Sequence, residues 1–206
     1  MTGAASAQAL QMSLGSVGLF CGSSDGIDPA RLEAAASLGR TIAAQGVRLV
    51  YGGGSTGLMG ACARAAIAGG GKVLGVIPEF LCLPEVAYRA AELVVTASMH
   101  ERKAVMFREA DAFVVLPGGI GTLEEVIELL SWARLGLHRK PVAFLNPDGF
   151  WDPLVALIDH TVREGFTPAT FGQTYRAVGE VQAVLPVLRE MIALAGTGPE
   201  MPLILT

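Results

Sequence analysis

Two charged clusters flank one apolar run of this 206-residue chain. Met99-His100-Glu101-Arg102-Lys103 stands before residues 112–116, and Thr122-Leu123-Glu124-Glu125 stands after them. Adjacent cations and paired carboxylates suit a nucleoside monophosphate: Arg102 and Lys103 for anionic or hydroxyl groups, Glu125 for chemistry at the sugar. Each cluster also has a plainer reading. Thr122-x-x-Glu125 has the spacing of a capping box, in which the glutamate reaches back to the N-cap amide, and Arg102 and Lys103 suit a solvated helix face. His100, His138 and His160 lack metal-ligand spacing and read as structural or surface residues. Ser23 and Ser24 have no identifiable histidine partner for nucleophile chemistry.

Two glycine-rich turns add to this. Gly52-Gly53-Gly54-Ser55-Thr56-Gly57 and Pro117-Gly118-Gly119-Ile120-Gly121-Thr122 each follow an apolar run and open a helical one. Glycine lets the backbone approach a phosphate, and the following helix N-terminus adds about half a unit of positive charge. Two cradles predict a phosphorylated ligand, with Ser23, Gly53 and Gly54 as the loop candidates on one side and residues 118–122 on the other. The plain alternative for either is a tight strand-to-helix turn. No G-x-x-x-x-G-K-[ST] occurs, which excludes an ATP-hydrolysing P-loop. Gly52, Gly54 and Gly57 also satisfy G-x-G-x-x-G, with Glu79 at the end of the next apolar run, so an NAD-dependent oxidoreductase is a rival. That rival leaves the second glycine turn unexplained.

The elements that must carry these residues form an alternating pattern. Runs rich in Val, Leu and Phe at 16–23, 47–52, 72–78, 112–116 and 141–146 read as strands, with weaker candidates at 93–97 and 175–178. Helical segments begin near Pro29, Gly57, Met99, Thr122 and Asp152; Asp28-Pro29 and Asp152-Pro153 suit a cap followed by N1. The expected fold is α/β, one doubly wound parallel sheet with helices on both faces, in a single domain over 15–195 between loosely held ends at 1–14 and 196–206. In such a sheet the ligand crevice lies outside the carboxyl ends of the strands, where both glycine turns fall.

Hydrophobic residues are 51% of the chain and charged residues 17%, enough for a large core. A net charge of −4 with no block of like charges argues against a nucleic-acid polymer as partner. The uncharged stretch 49–63 is too short and too rich in glycine to span a bilayer, and 1–24 lacks a basic leader region, so a cytoplasmic protein without membrane association is expected. Cys21, Cys62 and Cys82 form no CxxC pair and read as small buried apolar residues. The apolar excess on a short chain predicts a homodimer.

Pro117-Gly118-Gly119-Ile120-Gly121-Thr122-Leu123-Glu124-Glu125 resembles the PGGxGTxxE signature of the LOG family, the cytokinin riboside 5'-monophosphate phosphoribohydrolases often mislabelled lysine decarboxylases. Gly52-Gly53-Gly54-Ser55-Thr56-Gly57-Leu58-Met59-Gly60 is similar to its GGGxxGLMG segment, and Met99-His100-x-Arg102-Lys103 to its MHxRK segment. The similarity runs from about residue 17 to 168 and includes Ser131-Trp132-Ala133-x-Leu135-Gly136.

The resemblance implies a Rossmann-like dimer that hydrolyses the N-glycosidic bond of a nucleoside 5'-monophosphate to free base and ribose 5-phosphate, with no cofactor and no metal. Carried across by position, Arg102 and Glu125 are the catalytic pair. Gly118, Gly119, Ile120, Gly121, Thr122, Leu123 and Glu124 hold phosphate and ribose, with Met99 and Lys103 nearby. Glu85 stands at a substrate-binding glutamate and Ser131 at a hydroxyl position near the pocket. The base, adenine or prenylated adenine, stays open at this point, as does a non-catalytic nucleotide or cofactor carrier using the same loops. No lysine has a recognisable pyridoxal phosphate context.

Overall fold

The computed structural model describes residues 14–24, 28–83 and 86–195. Seven strands, β1 (Ser16–Phe20), β2 (Arg48–Tyr51), β3 (Val73–Pro78), β4 (Glu92–Thr96), β5 (Ala112–Val115), β6 (Val142–Leu145) and β7 (Tyr175–Val178), form one sheet in the order β4-β3-β2-β1-β5-β6-β7. Every adjacent pair is parallel. Six helices alternate with them among the described residues: α1 (Pro29–Ala44), α2 (Gly57–Ala68), α3 (Met99–Glu109), α4 (Ile120–Arg134), α5 (Asp152–Arg163) and α6 (Val181–Ala195).

The period-2 direction of strand side chains builds two cores. From β5, Ala112 and Val114 face one side while Phe113 and Val115 face the other. The first core packs against α1, α2 and α6 through Leu38, Ile42, Leu58, Cys62, Leu185 and Leu188. The second packs against α3, α4 and α5 through Met106, Phe107, Val126, Leu129 and Ile158. Both faces are therefore covered, which is why the central strands are continuous apolar runs. The weak strand candidates are the two edges, β4 and β7, where one neighbour is missing and the apolar signal thins.

An aromatic stack ties α3 and α4 to the sheet. Phe20 of β1 lies on Phe113 of β5 at 5.4 Å between ring centroids, Phe107 of α3 lies on Phe113 at 6.1 Å, and Trp132 of α4 meets Phe107 edge-on at 5.4 Å. Each such pair adds about 0.5–1.5 kcal/mol beyond its buried area. The stack fixes α3 and α4 side by side.

Some expectations need correction. Helix α4 begins at Ile120, two residues before Thr122, because Gly119 takes the N-cap position. Helix α6 was not among the expected helices; it carries Pro186 inside, a residue that disfavours helix interiors. Leu14, assigned to the loose N-terminal segment, is buried in the first core. Residues 1–13 and 196–206 lie outside the described residues. Cys21 and Cys62 are buried as expected, whereas Cys82 is half-buried. No helix among the described residues is long and apolar enough to cross a membrane.

Candidate active site

The strand order reverses between β1 and β5, and the two chain segments leaving them are joined where the Gly22 amide donates to the Pro117 carbonyl at 2.9 Å. Beside this switch point, helices α3 and α4 point their N-terminal turns at the crevice. The first turn of α3 is capped by its own residues: Ser98 Oγ accepts from the Glu101 amide at 3.1 Å, and Glu101 Oε2 accepts from the Ala97 amide at 2.7 Å. This is the reciprocal logic of a capping box, placed at Ser98-x-x-Glu101. The same spacing occurs at Thr122-x-x-Glu125.

Glu125 caps nothing. It lies in the second turn of α4, 8% exposed, and its Oε1 accepts from Arg102 Nη1 at 2.6 Å; Arg102 is 7% exposed. The guanidinium is held from further sides. Arg102 Nε donates to the Val76 carbonyl of β3 at 3.1 Å, and a Cβ on residue 52 would run into its Nη2. Burial raises the Glu125 carboxyl above the ordinary glutamate range; Arg102 opposes this by charge and hydrogen bond, and burial prevails. Among the described residues no hydrogen bond reaches Glu125 Oε2.

Lys103, the next residue along α3, turns to the exposed side of α4. Its Nζ donates to Glu124 Oε1 at 2.5 Å and pairs with Glu128 Oε2 at 2.8 Å. Burial pulls the ammonium down, the two carboxylates push it up, and the carboxylates prevail. Glu128 was not a sequence candidate; the available signal was its position one turn after Glu124 on a helix already read as functional.

The two glycine turns differ in what surrounds them. In the first, a Cβ on Gly53 would stand 2.9 Å from the Ile77 Cβ, one on Gly54 3.0 Å from the Met59 sulfur, and one on Gly57 2.7 Å from the Ser23 backbone. The Gly54 amide donates to Met59 Sδ and the Ser55 amide to the Val86 carbonyl. Ser23 is tied to the same turn, since its carbonyl accepts from Thr56 Oγ1 at 2.7 Å. These residues are taken up by packing within the protein. In the second turn, Gly118 is equally tight against Thr122 and the Gly22 amide, but nothing lies within 4 Å of the Cβ positions of Gly119 and Gly121. Open space over a helix N-terminus is what an incoming anion needs.

The remaining candidates are spread around this centre. Met99 opens α3 and is exposed, Ile120 opens α4 and is 84% exposed, Leu123 packs on the second core, and Thr122 is buried beside Gly118. Ser131 lies about 9 Å further along the α4 axis, donating to the Ile127 carbonyl at 2.6 Å and lining an apolar groove with Leu130, Leu135 and Phe171. Glu85 lies outside the described residues. Among the described residues, no three His, Cys, Asp or Glu side chains gather as metal ligands. Burial pushes the Cys62 thiol up to about 12, and Cys21, at the end of β1, is also raised well above its ordinary value.

A family model described as "Possible lysine decarboxylase" matches residues 59–188. The probable cytokinin riboside 5'-monophosphate phosphoribohydrolase LOGL9 of Oryza sativa subsp. japonica is 48% identical over 175 residues, covering 84% of this chain and 77% of that protein. The cytokinin riboside 5'-monophosphate phosphoribohydrolase LOG7 of Arabidopsis thaliana is 52% identical over 149 residues, covering 72% and 69%. Among solved structures, the molybdenum cofactor carrier protein of Chlamydomonas reinhardtii superposes with a TM-score of 0.66 at 22% identity, covering 88% of this chain and 99% of that one. That likeness is one of fold alone. With identity near one half over most of its length to proteins so named, and with the signature residues of α3 and α4 paired in space, the chain belongs to the LOG family of cytokinin riboside 5'-monophosphate phosphoribohydrolases.

Proposed function

We propose that this chain hydrolyses the N-glycosidic bond of a nucleoside 5'-monophosphate, AMP or its prenylated form, releasing free base and ribose 5-phosphate. The observation that carries the proposal is the buried Arg102–Glu125 pair, one guanidinium fixed on one carboxylate at 2.6 Å beside an open helix N-terminus.

Cleavage of a ribosyl–base bond passes through an oxocarbenium-like state, which a nearby carboxylate stabilises. The amides around Gly119 and Gly121 receive the 5'-phosphate, and Glu124, Lys103 and Met99 line the approach to the ribose. Glu125 Oε2 accepts a proton from water while that water's oxygen bonds to the anomeric carbon. The carbon–nitrogen bond breaks, its electron pair leaves with the base, the base takes up a proton from solvent, and Glu125 returns its own proton to solvent. Arg102 favours the ionised form of Glu125 and offsets part of the burial that raises its carboxyl. Glu85 and Ser131 complete the substrate contacts in this reading, whereas Ser23, Gly53 and Gly54, committed to packing, shape the first glycine turn without gripping the nucleotide.

A homodimer belongs to the same proposal, supported by exposed apolar residues along α4 and α5. Free thiols at all three cysteines fit a reducing, cytoplasmic setting.

The test is incubation with AMP and with isopentenyl-AMP, followed by chromatography for free base. Glu125→Gln keeps the shape and an acceptor for Arg102 but removes the base, so turnover falls at least ~100-fold, about 2.7 kcal/mol of transition-state stabilisation. Wild-type turnover in that variant overturns the assignment of Glu125. Binding of nucleotide by the wild-type chain without release of base overturns the hydrolase reading in favour of a carrier.

A further inference from the structure

Helices α3 and α4 face each other with unequal charge. Arg102 and Lys103 of α3 meet Glu124, Glu125 and Glu128 of α4, two cations against three carboxylates. Arg102 is committed to Glu125, so Lys103 is left to serve the other two. Its side chain is largely buried, and its ammonium is divided between Glu124 and Glu128.

Glu128 has no place in the hydrolytic scheme above. It does face the centre of the site: Lys103, Glu125 and Glu128 line one small void walled by Phe20, Phe113 and Trp132. Aromatic walls leave little solvent to screen charges from one another, so Lys103 acts on Glu125 as well as on its direct partners. Its ammonium favours the ionised form of Glu125.

We propose that Glu128 is a positioning residue for the hydrolysis, occupying one arm of Lys103 so that Glu124 keeps a carboxylate oxygen for the ribose and Glu125 keeps the basicity its reaction requires. The inference rests on the hydrolase reading of the site. Without Glu128, the whole ammonium turns to Glu124, and its charge acts unopposed on Glu125. Loss of the Glu128 charge and the freed charge of Lys103 act in the same direction, making Glu125 a weaker base. The groups that face Glu125 are Arg102 and Lys103 from α3, Glu124 and Glu128 from its own helix and Cys21 from the end of β1; Lys103 is the one that Glu128 holds directly.

The experiment compares wild type, Glu128→Gln and Glu128→Asp on AMP and isopentenyl-AMP across pH 4 to 9, with thermal melting of each. In Glu128→Gln the acid limb of kcat/KM moves to lower pH by about half a unit, and kcat at neutral pH falls about twofold by the Brønsted effect of a weaker base. Glu128→Asp keeps the charge and restores the limb. A folded Glu128→Gln whose limb and kcat match wild type overturns the proposal, and so does a lowered melting temperature with an unmoved limb, which marks a purely structural contact. If Glu128→Gln fails to fold, Glu128→Ala takes its place: a limb moved to lower pH supports the proposal, and a folded variant with an unmoved limb overturns it. Absence of cleavage by wild type is a separate result, which defeats the hydrolase reading itself.

Discussion

Gly52 and Arg102 occupy adjoining space, and the guanidinium reaches Glu125 across the place where residue 52 would carry a side chain. The glycine at the end of β2 thus serves a residue fifty positions later. Gly52→Ala meets only the ends of two flexible side chains, Arg102 and Met59, so the fold survives with a small change in melting temperature. The guanidinium is displaced, and a shift of about 1 Å at the proposed catalytic pair costs on the order of 100-fold in kcat. Release of free base and a melting curve, measured on the same preparation, check both halves; unchanged kcat would break the link between the two residues.

The second glycine turn separates binding from folding. Gly121→Ala adds a methyl where no atom lies within 4 Å, inside the first turn of α4. Its melting temperature holds or rises, since alanine is favoured over glycine in a helix by roughly 0.5–1 kcal/mol. The methyl enters the space assigned to phosphate, so KM for AMP rises at least ~10-fold, about 1.4 kcal/mol. Gly118→Ala does the opposite: its methyl meets Thr122 and the Gly22 amide, costing about 1–3 kcal/mol of stability.

Burial gives Glu125 a pH signature of known sign. Its folded carboxyl holds a proton above the ordinary value of 4.5. As pH rises past 4.5 the unfolded chain releases this proton first, so the stabilisation present below 4.5 is lost as pH climbs through the raised folded value. Melting followed from pH 4 to 7 in wild type and Glu125→Gln shows wild type losing ground to the variant. The acid limb of kcat/KM, which reports the ionised base, lies above 4.5. A variant whose melting parallels wild type throughout that range would place the titration elsewhere.

Leu135, just past α4, is 70% exposed and lines the groove that holds Ser131, and Phe166, just past α5, is 85% exposed beside the groove residue Thr167. Side chains this apolar and this open fit an interface between two copies of the chain. Light scattering at micromolar concentration is expected to give a dimer mass, and Leu135→Asp with Phe166→Asp a monomer mass. A wild-type monomer would leave this face without a partner.

Much of this protein was legible before folding. The central strands were legible because burial on both faces makes them continuous apolar runs, and the two glycine turns because only glycine tolerates the contacts crowded around Gly53, Gly57 and Gly118. Strands β4 and β7 were weaker signals, since an edge strand buries less of itself. Capping was undecidable locally: Ser98-x-x-Glu101 and Thr122-x-x-Glu125 have the same spacing, and only the first closes on its own helix. Composition and order along the chain determined which residue types stand at the carboxyl ends of the strands, because strand period and turn chemistry act over a few residues. The pairing of Arg102 with Glu125 across 23 positions, and of Lys103 with Glu124 and Glu128, was decided only by tertiary packing, where Trp132 of α4 meets Phe107 of α3 at the end of the Phe20–Phe113–Phe107 stack. A buried charge takes the partner that packing delivers to it, whatever its sequence neighbours offer.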